Sequence, residues 1–248
     1  MVKETRKKPA TRAAAKAVAE AAPPRPLSRR LLAWALRGAA AVTGLFAFLV
    51  ILFWMVNPPT TIYMLQESAR LGGVERDWVD MDEIAPVMAR SAVAAEDANF
   101  CLHWGFDMAA IRAAVEAGGS RGASTISQQV VKNVFLWHGR SWLRKAAEAL
   151  ITPAMETLWS KRRILEVYLN VAEFGEGVFG VEAAAQHHFG VRAADLTPVQ
   201  AARLAAVLPD PKGRNAGKPS AFVRSRAAAA LEGAKTIRAD GRAGCFED

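Results

Sequence analysis

Nineteen consecutive residues, Gly38 to Val56, carry no charged side chain and include Leu45, Phe46, Phe48, Leu49, Ile51, Leu52, Phe53 and Trp54. As a helix rising about 1.5 Å per residue the run spans about 28 Å, close to the hydrocarbon thickness of a bilayer. It predicts a transmembrane helix over 38–56. A cleaved signal peptide is the rival reading, but its apolar region is shorter, and Phe53-Trp54-Met55-Val56-Asn57 lacks the small residues that a peptidase selects.

Charge gives that helix a direction. Residues 1–37 hold ten Lys/Arg against Glu4 and Glu20, so the whole net charge of +8 lies ahead of the apolar run and the 22 basic and 22 acidic residues elsewhere cancel. By the positive-inside rule, 1–37 is a basic cytoplasmic tail and 57–248 an exported domain. A neutral body also argues against nucleic acid as a partner, which needs excess cations on the folded face that meets phosphate. With 52% hydrophobic and 23% charged residues, the exported part can bury its own core. Cys101 and Cys245 would sit where a disulfide can form, but two cysteines cannot be paired from sequence. No metal-ligand spacing connects them with His103, His138, His187 or His188.

Beyond the membrane the apolar periodicity is helical almost throughout, and no convincing alternating strand or repeat is visible, so the fold class is mainly α. Helices are expected from Asp82 to about Glu96, from Asp107 to Gly118-Gly119, from Ser124 onward, from Ser141 through Pro153 to Trp159, from Ser160 to Val171, and from Val178 to Phe189 with Gly190 as the stop. Thr197-Pro198-x-Gln200 is a capping box with proline at the first helical position, and Ser220 to Arg238 is the last helix.

Chemistry then has to come from helix ends. Glu96-Asp97 closes a helix, where the dipole disfavours negative charge, and burial behind Phe100 or Trp104 would raise a carboxylate's pKa toward that of a useful base. A surface acidic pair is the alternative. Gly122-Ala123-Ser124-Thr125-Ile126-Ser127-Gln128-Gln129 puts small and hydrogen-bonding residues at a helix start, which favours an anion, and Lys132, Arg140, Arg144 and Lys145 follow. That set suits a pyrophosphate or a sugar; an ordinary N-cap with solvated cations fits the spacing equally. Glu148, one turn after Arg144, reads either as a surface ion pair or as a second carboxylate beside a cationic patch. In Ser160 to Asn170, Ile164, Leu165, Tyr168 and Val171 face inward and the charges are expected to be solvated. Phe135, Leu136 and Trp137 suit either the core or the membrane interface.

These segments together resemble the peptidoglycan glycosyltransferases of the penicillin-binding-protein class. Glu96-Asp97-x-x-Phe100-x-x-His103-x-Gly105 is similar to their first motif, and Gly122 to Gln129 with Lys132-Asn133 to their second. Arg144-Lys145-x-x-Glu148 resembles the third, and Ile164-Leu165-Glu166-x-Tyr168-Leu169-Asn170 the fourth. The likeness covers roughly residues 60–210, departs at Ala123 where a second glycine is common, and is strongest to the monofunctional biosynthetic branch of Gram-negative bacteria, which Val134 to Trp137 and Val178 to Ala185 also resemble.

The resemblance implies a lysozyme-like fold with a small jaw subdomain, an inner-membrane location, and polymerisation of lipid II on a growing glycan strand. It makes Glu96 the general base and Glu148 the second catalytic carboxylate. Lys132, Arg140, Arg144 and Lys145 would hold pyrophosphate, and Asp97, Phe100, His103, Gly105, Ser124, Thr125, Gln128, Gln129 and Asn133 would complete the substrate site. No cofactor is required, though a divalent cation at the pyrophosphate would assist, and proteins of wall synthesis or division are candidate partners. With no Ser-x-x-Lys or Lys-Thr-Gly motif before Asp248, a transpeptidase domain is not expected. A lytic enzyme of lysozyme-like fold and a non-enzymatic membrane scaffold are the competing readings.

Overall fold

The computed structural model describes residues 27–118, 124–139 and 141–247. The tail before residue 27 lies outside the described residues, as do Gly119, Gly122, Ala123 and Arg140. Helix α1 (Leu27–Met55) contains the uncharged run except Val56 and starts well before it, taking in Arg29, Arg30 and Arg37. Among the described residues it is the one helix long and apolar enough to cross a membrane, which fits a single-pass anchor.

The chain divides into two units, 1–45 and 46–248. In the first, Leu31, Leu32, Trp34, Leu36 and Val42 are exposed along the helix, as on a lipid-facing surface.

The second unit is mainly α, as expected. It contains α2 (Ile62–Leu71), α3 (Pro86–Glu96), α4 (Met108–Glu116), α5 (Ile126–Phe135), α6 (Trp142–Leu158), α7 (Lys161–Val171), α8 (Val181–Phe189), α9 (Pro198–Val207), α10 (Ala221–Ala239) and α11 (Gly244–Glu247). Their starts are written locally. Asp107, Thr125, Ser141, Ser160, Thr197 and Ser220 each stand at an N-cap, where the side chain accepts a hydrogen bond from a backbone N–H three residues on. Helices α3, α9 and α10 pack together, and α5 packs on α6 and α7. The shared core includes Met88, Ile126, Val130, Ile164, Leu165, Phe174 and Leu204. At Gly233 of α10 an added Cβ would lie 2.8 Å from the Ala94 Cβ, so α10 meets α3 at a distance that a larger side chain would force apart.

Four expectations are corrected. A small sheet, ordered β1 (Glu75–Arg76), β3 (Val178–Phe179) and β2 (Glu173–Gly175), is present where no strand was foreseen. Two- and three-residue strands are too short for alternation to register, and β2 and β3 are buried throughout. The helix expected from Val178 therefore begins at Val181, after Gly180 turns the chain at φ 87°. The segment expected to open at Asp82 is a 3₁₀ turn at Met81–Glu83, and α3 starts at Pro86, whose missing N–H costs nothing at a first turn.

The fourth correction, and one alternative that the sequence left open, concern side chains. Phe135 and Leu136 belong to the core, Phe135 packing 6.0 Å from the Phe53 ring and 6.2 Å from Trp159, and of the three only Trp137 is exposed. The large exposed apolar side chains of α6 are instead Trp142, 91% accessible, with Leu143, Leu150 and Leu158. Nor is Arg163 solvated: its guanidinium donates to the Phe53 and Val56 carbonyls at 3.0 and 3.1 Å and satisfies the last turn of α1. Cys101 and Cys245, which the sequence left open, form a disulfide.

Candidate active site

Glu96 is the last residue of α3, a helix whose Met88, Ala89, Ala92 and Val93 are buried. The next residue fixes where it points. Asp97 leaves the helix with its carboxylate buried and held at both oxygens: Oδ2 accepts from the Ile126 N–H at 3.0 Å and Oδ1 pairs with His103 Nε2 at 2.8 Å. The C-terminus of α3 is thereby joined to the N-terminus of α5, where free N–H groups favour negative charge.

This junction sets Glu96 against α5. Gln129 Nε2 donates to Glu96 Oε2 at 2.8 Å, and the Tyr168 hydroxyl of α7 donates to Gln129 Oε1 at 3.4 Å. Burial pushes Glu96 above the ordinary carboxylate range, while the Gln129 bond and the charges of Arg226, Lys132 and Arg214 pull it part of the way back. Lys132 lies one turn after Gln129 on the same face of α5. Its ammonium is destabilised by burial and feels both Glu148 and Glu96, with Arg144 and Lys145 opposing them. Lys132 is thus electrostatically linked to both candidate carboxylates.

Glu148 is no surface ion pair. It is 2% accessible, and its oxygens meet Arg144 Nη1 at 2.7 Å and the Lys145 ammonium. Two openings adjoin this core of charges. A cleft of about 300 Å³ is lined by Gln129, Lys132, Asn133 and Tyr168 together with Tyr63, His138 and Lys212. A smaller one of about 210 Å³ is lined by Glu96, Asp97, Asn99, Asp107, Ser124 and Thr125. The first sets Lys132 and Lys212 beside Glu173 and Asp210, the second is rich in carboxylates, and the Glu96–Gln129 hydrogen bond joins them.

The motif residues therefore divide by what they face. Glu96, Asp97, Ser124, Thr125, Gln129, Lys132 and Asn133 line openings. Phe100 is fully buried under the Lys161 ammonium, 4.4 Å from its ring centre. Thr125 and Gln128 close a capping box on α5, and the Thr125 hydroxyl donates to the Gly105 carbonyl at 2.6 Å. Gly105 has φ +83° and no space for a side chain, since a Cβ would meet Thr152 Cγ2 at 2.5 Å. Gly105→Ala is accordingly expected to destabilise the protein by about 2 to 4 kcal/mol, combining a left-handed backbone with overpacking. A melting temperature equal to that of the wild type would remove this account.

Several contributors gave no sequence signal. Tyr63 stacks on His138 with ring centres 3.6 Å apart and donates to Glu173 Oε2 at 2.6 Å. Burial, with Lys132, Arg144 and Lys212 nearby, depresses His138 to about 4, so it faces the cleft as neutral imidazole near pH 7. Arg214 and Arg226, from regions outside the motifs, add positive charge to the field at Glu96. A buried Glu156 anchors the Ser127 hydroxyl and Lys161 Nζ, the latter at 2.8 Å. Among the described residues no group of three His, Cys, Asp or Glu side chains is placed to hold a metal ion.

The family model described as transglycosylase matches residues 64–235. The chain is 65% identical over 220 residues to the biosynthetic peptidoglycan transglycosylase of Jannaschia sp. (strain CCS1), an overlap covering 89% of this chain and 92% of that relative. It is 51% identical over 209 residues to the protein of the same name from Stutzerimonas stutzeri (strain A1501), covering 80% of this chain and 84% of the relative. For the Caulobacter vibrioides relative of that name the identity is 48% over 200 residues, with 79% and 87% covered.

Proposed function

The chain belongs to the transglycosylase family, and on that premise we propose that it polymerises lipid II into β-1,4-linked glycan strands of peptidoglycan, releasing undecaprenyl pyrophosphate. One observation carries the reading: a half-buried Glu96, at the edge of one opening, is hydrogen-bonded to Gln129 of the adjoining cleft, where Lys132 stands in the electrostatic field of both Glu96 and the Glu148–Arg144–Lys145 cluster.

The chemistry follows from those positions. Glu96 accepts the proton of the acceptor's GlcNAc 4-hydroxyl while that oxygen attacks the donor's MurNAc anomeric carbon. The bond from that carbon to the diphosphate oxygen breaks, and the configuration inverts. Diphosphate leaves as a stabilised anion and needs no proton, so the site has to supply positive charge, which falls to Lys132 on the cleft wall and to Arg144 in its field. Glu148 holds Arg144 and Lys145 in place for that task. A hydrolase cutting a sugar–sugar bond would instead need an acid for a poor alkoxide leaving group and would have no use for the cations. A divalent cation at the diphosphate would add to the positive charge that Lys132 supplies.

The surroundings support a membrane-held substrate. With the basic tail in the cytoplasm, the catalytic unit lies in the periplasm, an oxidising compartment that suits the Cys101–Cys245 bridge. Exposed Trp142, Leu143 and Leu150 give the unit an apolar surface for the bilayer. Anchoring by α1 confines enzyme and lipid-linked sugar to one plane and raises their effective concentration.

Purified protein given lipid II in vesicles is expected to form glycan polymer and release undecaprenyl pyrophosphate, and given finished peptidoglycan to create no new reducing ends. Because the base works deprotonated and burial raises its pKa, the acid limb of the pH profile should lie above the usual carboxylate range, activity falling as pH drops through it. New reducing ends without polymer would replace this reading with the lytic one.

A further inference from the structure

The family match ends at residue 235, but the chain continues out of α10 into a segment that folds back on the turn directly after Glu96. That segment is attached at every side. Cys245 is bridged to Cys101, closing a separation of 144 residues. Phe246 is fully buried, its ring 6.4 Å from that of Phe100. Arg242 Nη1 donates to the Ala98 carbonyl at 2.9 Å. Glu247 pairs with Arg90 of α3, and Arg162 Nη1 of α7 donates to the Phe246 carbonyl at 3.0 Å. The segment thus packs on α7, meets Ala98, Phe100 and Cys101 in the turn after Glu96, and is tied to α3 through Arg90.

We propose that residues 240–247, bolted to Cys101, are a positioning element that holds Glu96 in the geometry from which it takes the acceptor's proton. This rests on the reading of Glu96 as the base. The physical reason is that Glu96 is the final residue of its helix, and helix ends fray. On the site side the turn is fixed by Asp97 through Ile126 and His103. On the far side Phe100 is held by Lys161 and by the C-terminal segment. A covalent bolt there removes the freedom of the turn without placing any group in the cleft. A reacting group has to be held within about 0.5 Å, and a misplacement of about 1 Å costs on the order of 100-fold. Loss of the bridge alone leaves Phe246, Arg242 and Glu247 in contact, so a smaller effect is expected.

The test uses the full chain in lipid II polymerisation, comparing wild type with the Cys101→Ala/Cys245→Ala double variant, Arg242→Ala and Arg242→Lys, and with Glu96→Gln in parallel. Wild type is also assayed after dithiothreitol, which passes two electrons and two protons to the bridge, giving two thiols and its own cyclic disulfide. The double variant and the reduced enzyme should each lose about tenfold in kcat, with KM for lipid II within about twofold and melting still above the assay temperature. Reoxidation should restore the rate. Arg242→Ala should lose about threefold, and Arg242→Lys should recover part of it. Unchanged kcat in the unbridged proteins overturns the proposal, as does a rise in KM alone or a loss that follows only the unfolded fraction. If Glu96→Gln is dead while the unbridged enzyme keeps its full kcat, only the positioning role fails. If Glu96→Gln is as active as wild type, the reading of Glu96 as the base fails.

Discussion

Glu96→Gln is expected to lower kcat for polymerisation by about 10² to 10⁴-fold while leaving KM for lipid II nearly unchanged, because the amide keeps the shape of the side chain but cannot take a proton. The fold should not suffer. An amide oxygen at this position still accepts from Gln129 Nε2, and Lys132 retains Glu148 as a partner. Stability is expected to stay level or to rise, since the variant no longer buries a carboxylate that desolvation disfavours. Lower activity with equal or higher melting temperature is the signature of a site that keeps a group in an unfavourable environment for its chemistry. Rates from purified lipid II alongside thermal melting decide it. A variant within about threefold of the wild-type rate would remove proton abstraction by Glu96.

What the sequence disclosed about this site was local. The N-caps at Ser141, Ser160, Thr197 and Ser220 each depend on one side chain meeting a backbone N–H three residues away, so a reader of the chain can see them. The electrostatic misfit of Glu96-Asp97 at a helix end was visible for the same reason. The structure gives its two members different surroundings, Glu96 on the rim of an opening and Asp97 joining α3 to α5. Glu148 was ambiguous because Arg144 and Glu148, one turn apart, make the same pair on a surface as in an interior. Only the docking of α6 on α5 makes it a buried group.

Other features were illegible in principle. Arg226 acts on Glu96 only because α10 packs on α3, Arg214 comes from the segment between α9 and α10, and the close passage of Gly233 past Ala94 is a property of two helices far apart in sequence. The three short strands offered too few residues for a period. Val134 to Trp137 illustrates the remaining difficulty: an apolar stretch does not say which face will be covered, and here Phe53 and Trp159 cover Phe135 while Trp142 is left open.

Lys132→Met is the second substitution with a large expected effect, and its value is that it reports on both halves of the site at once. Methionine fills most of the space of the lysine stem, and Glu148 keeps Arg144 and Lys145, so folding is expected to survive. If the ammonium carries part of the charge of the departing diphosphate, kcat should fall by about 10² to 10³-fold, the scale for removing one preorganised stabilising group. Lys132 also pulls the Glu96 pKa down, so its loss should let that value climb further. The base would then be protonated at higher pH, and the acid limb of the profile should move upward, opposite to the direction expected if Glu96 became more exposed to water. A fall in rate with an unmoved acid limb would place Lys132 at the diphosphate but outside the field of Glu96. A moved limb at full rate would leave it tuning the base alone. Only the two changes together fit one cation standing between the carboxylate that takes the proton and the anion that departs, and that coupling separates a polymerising site from a chance gathering of charges on a helix face.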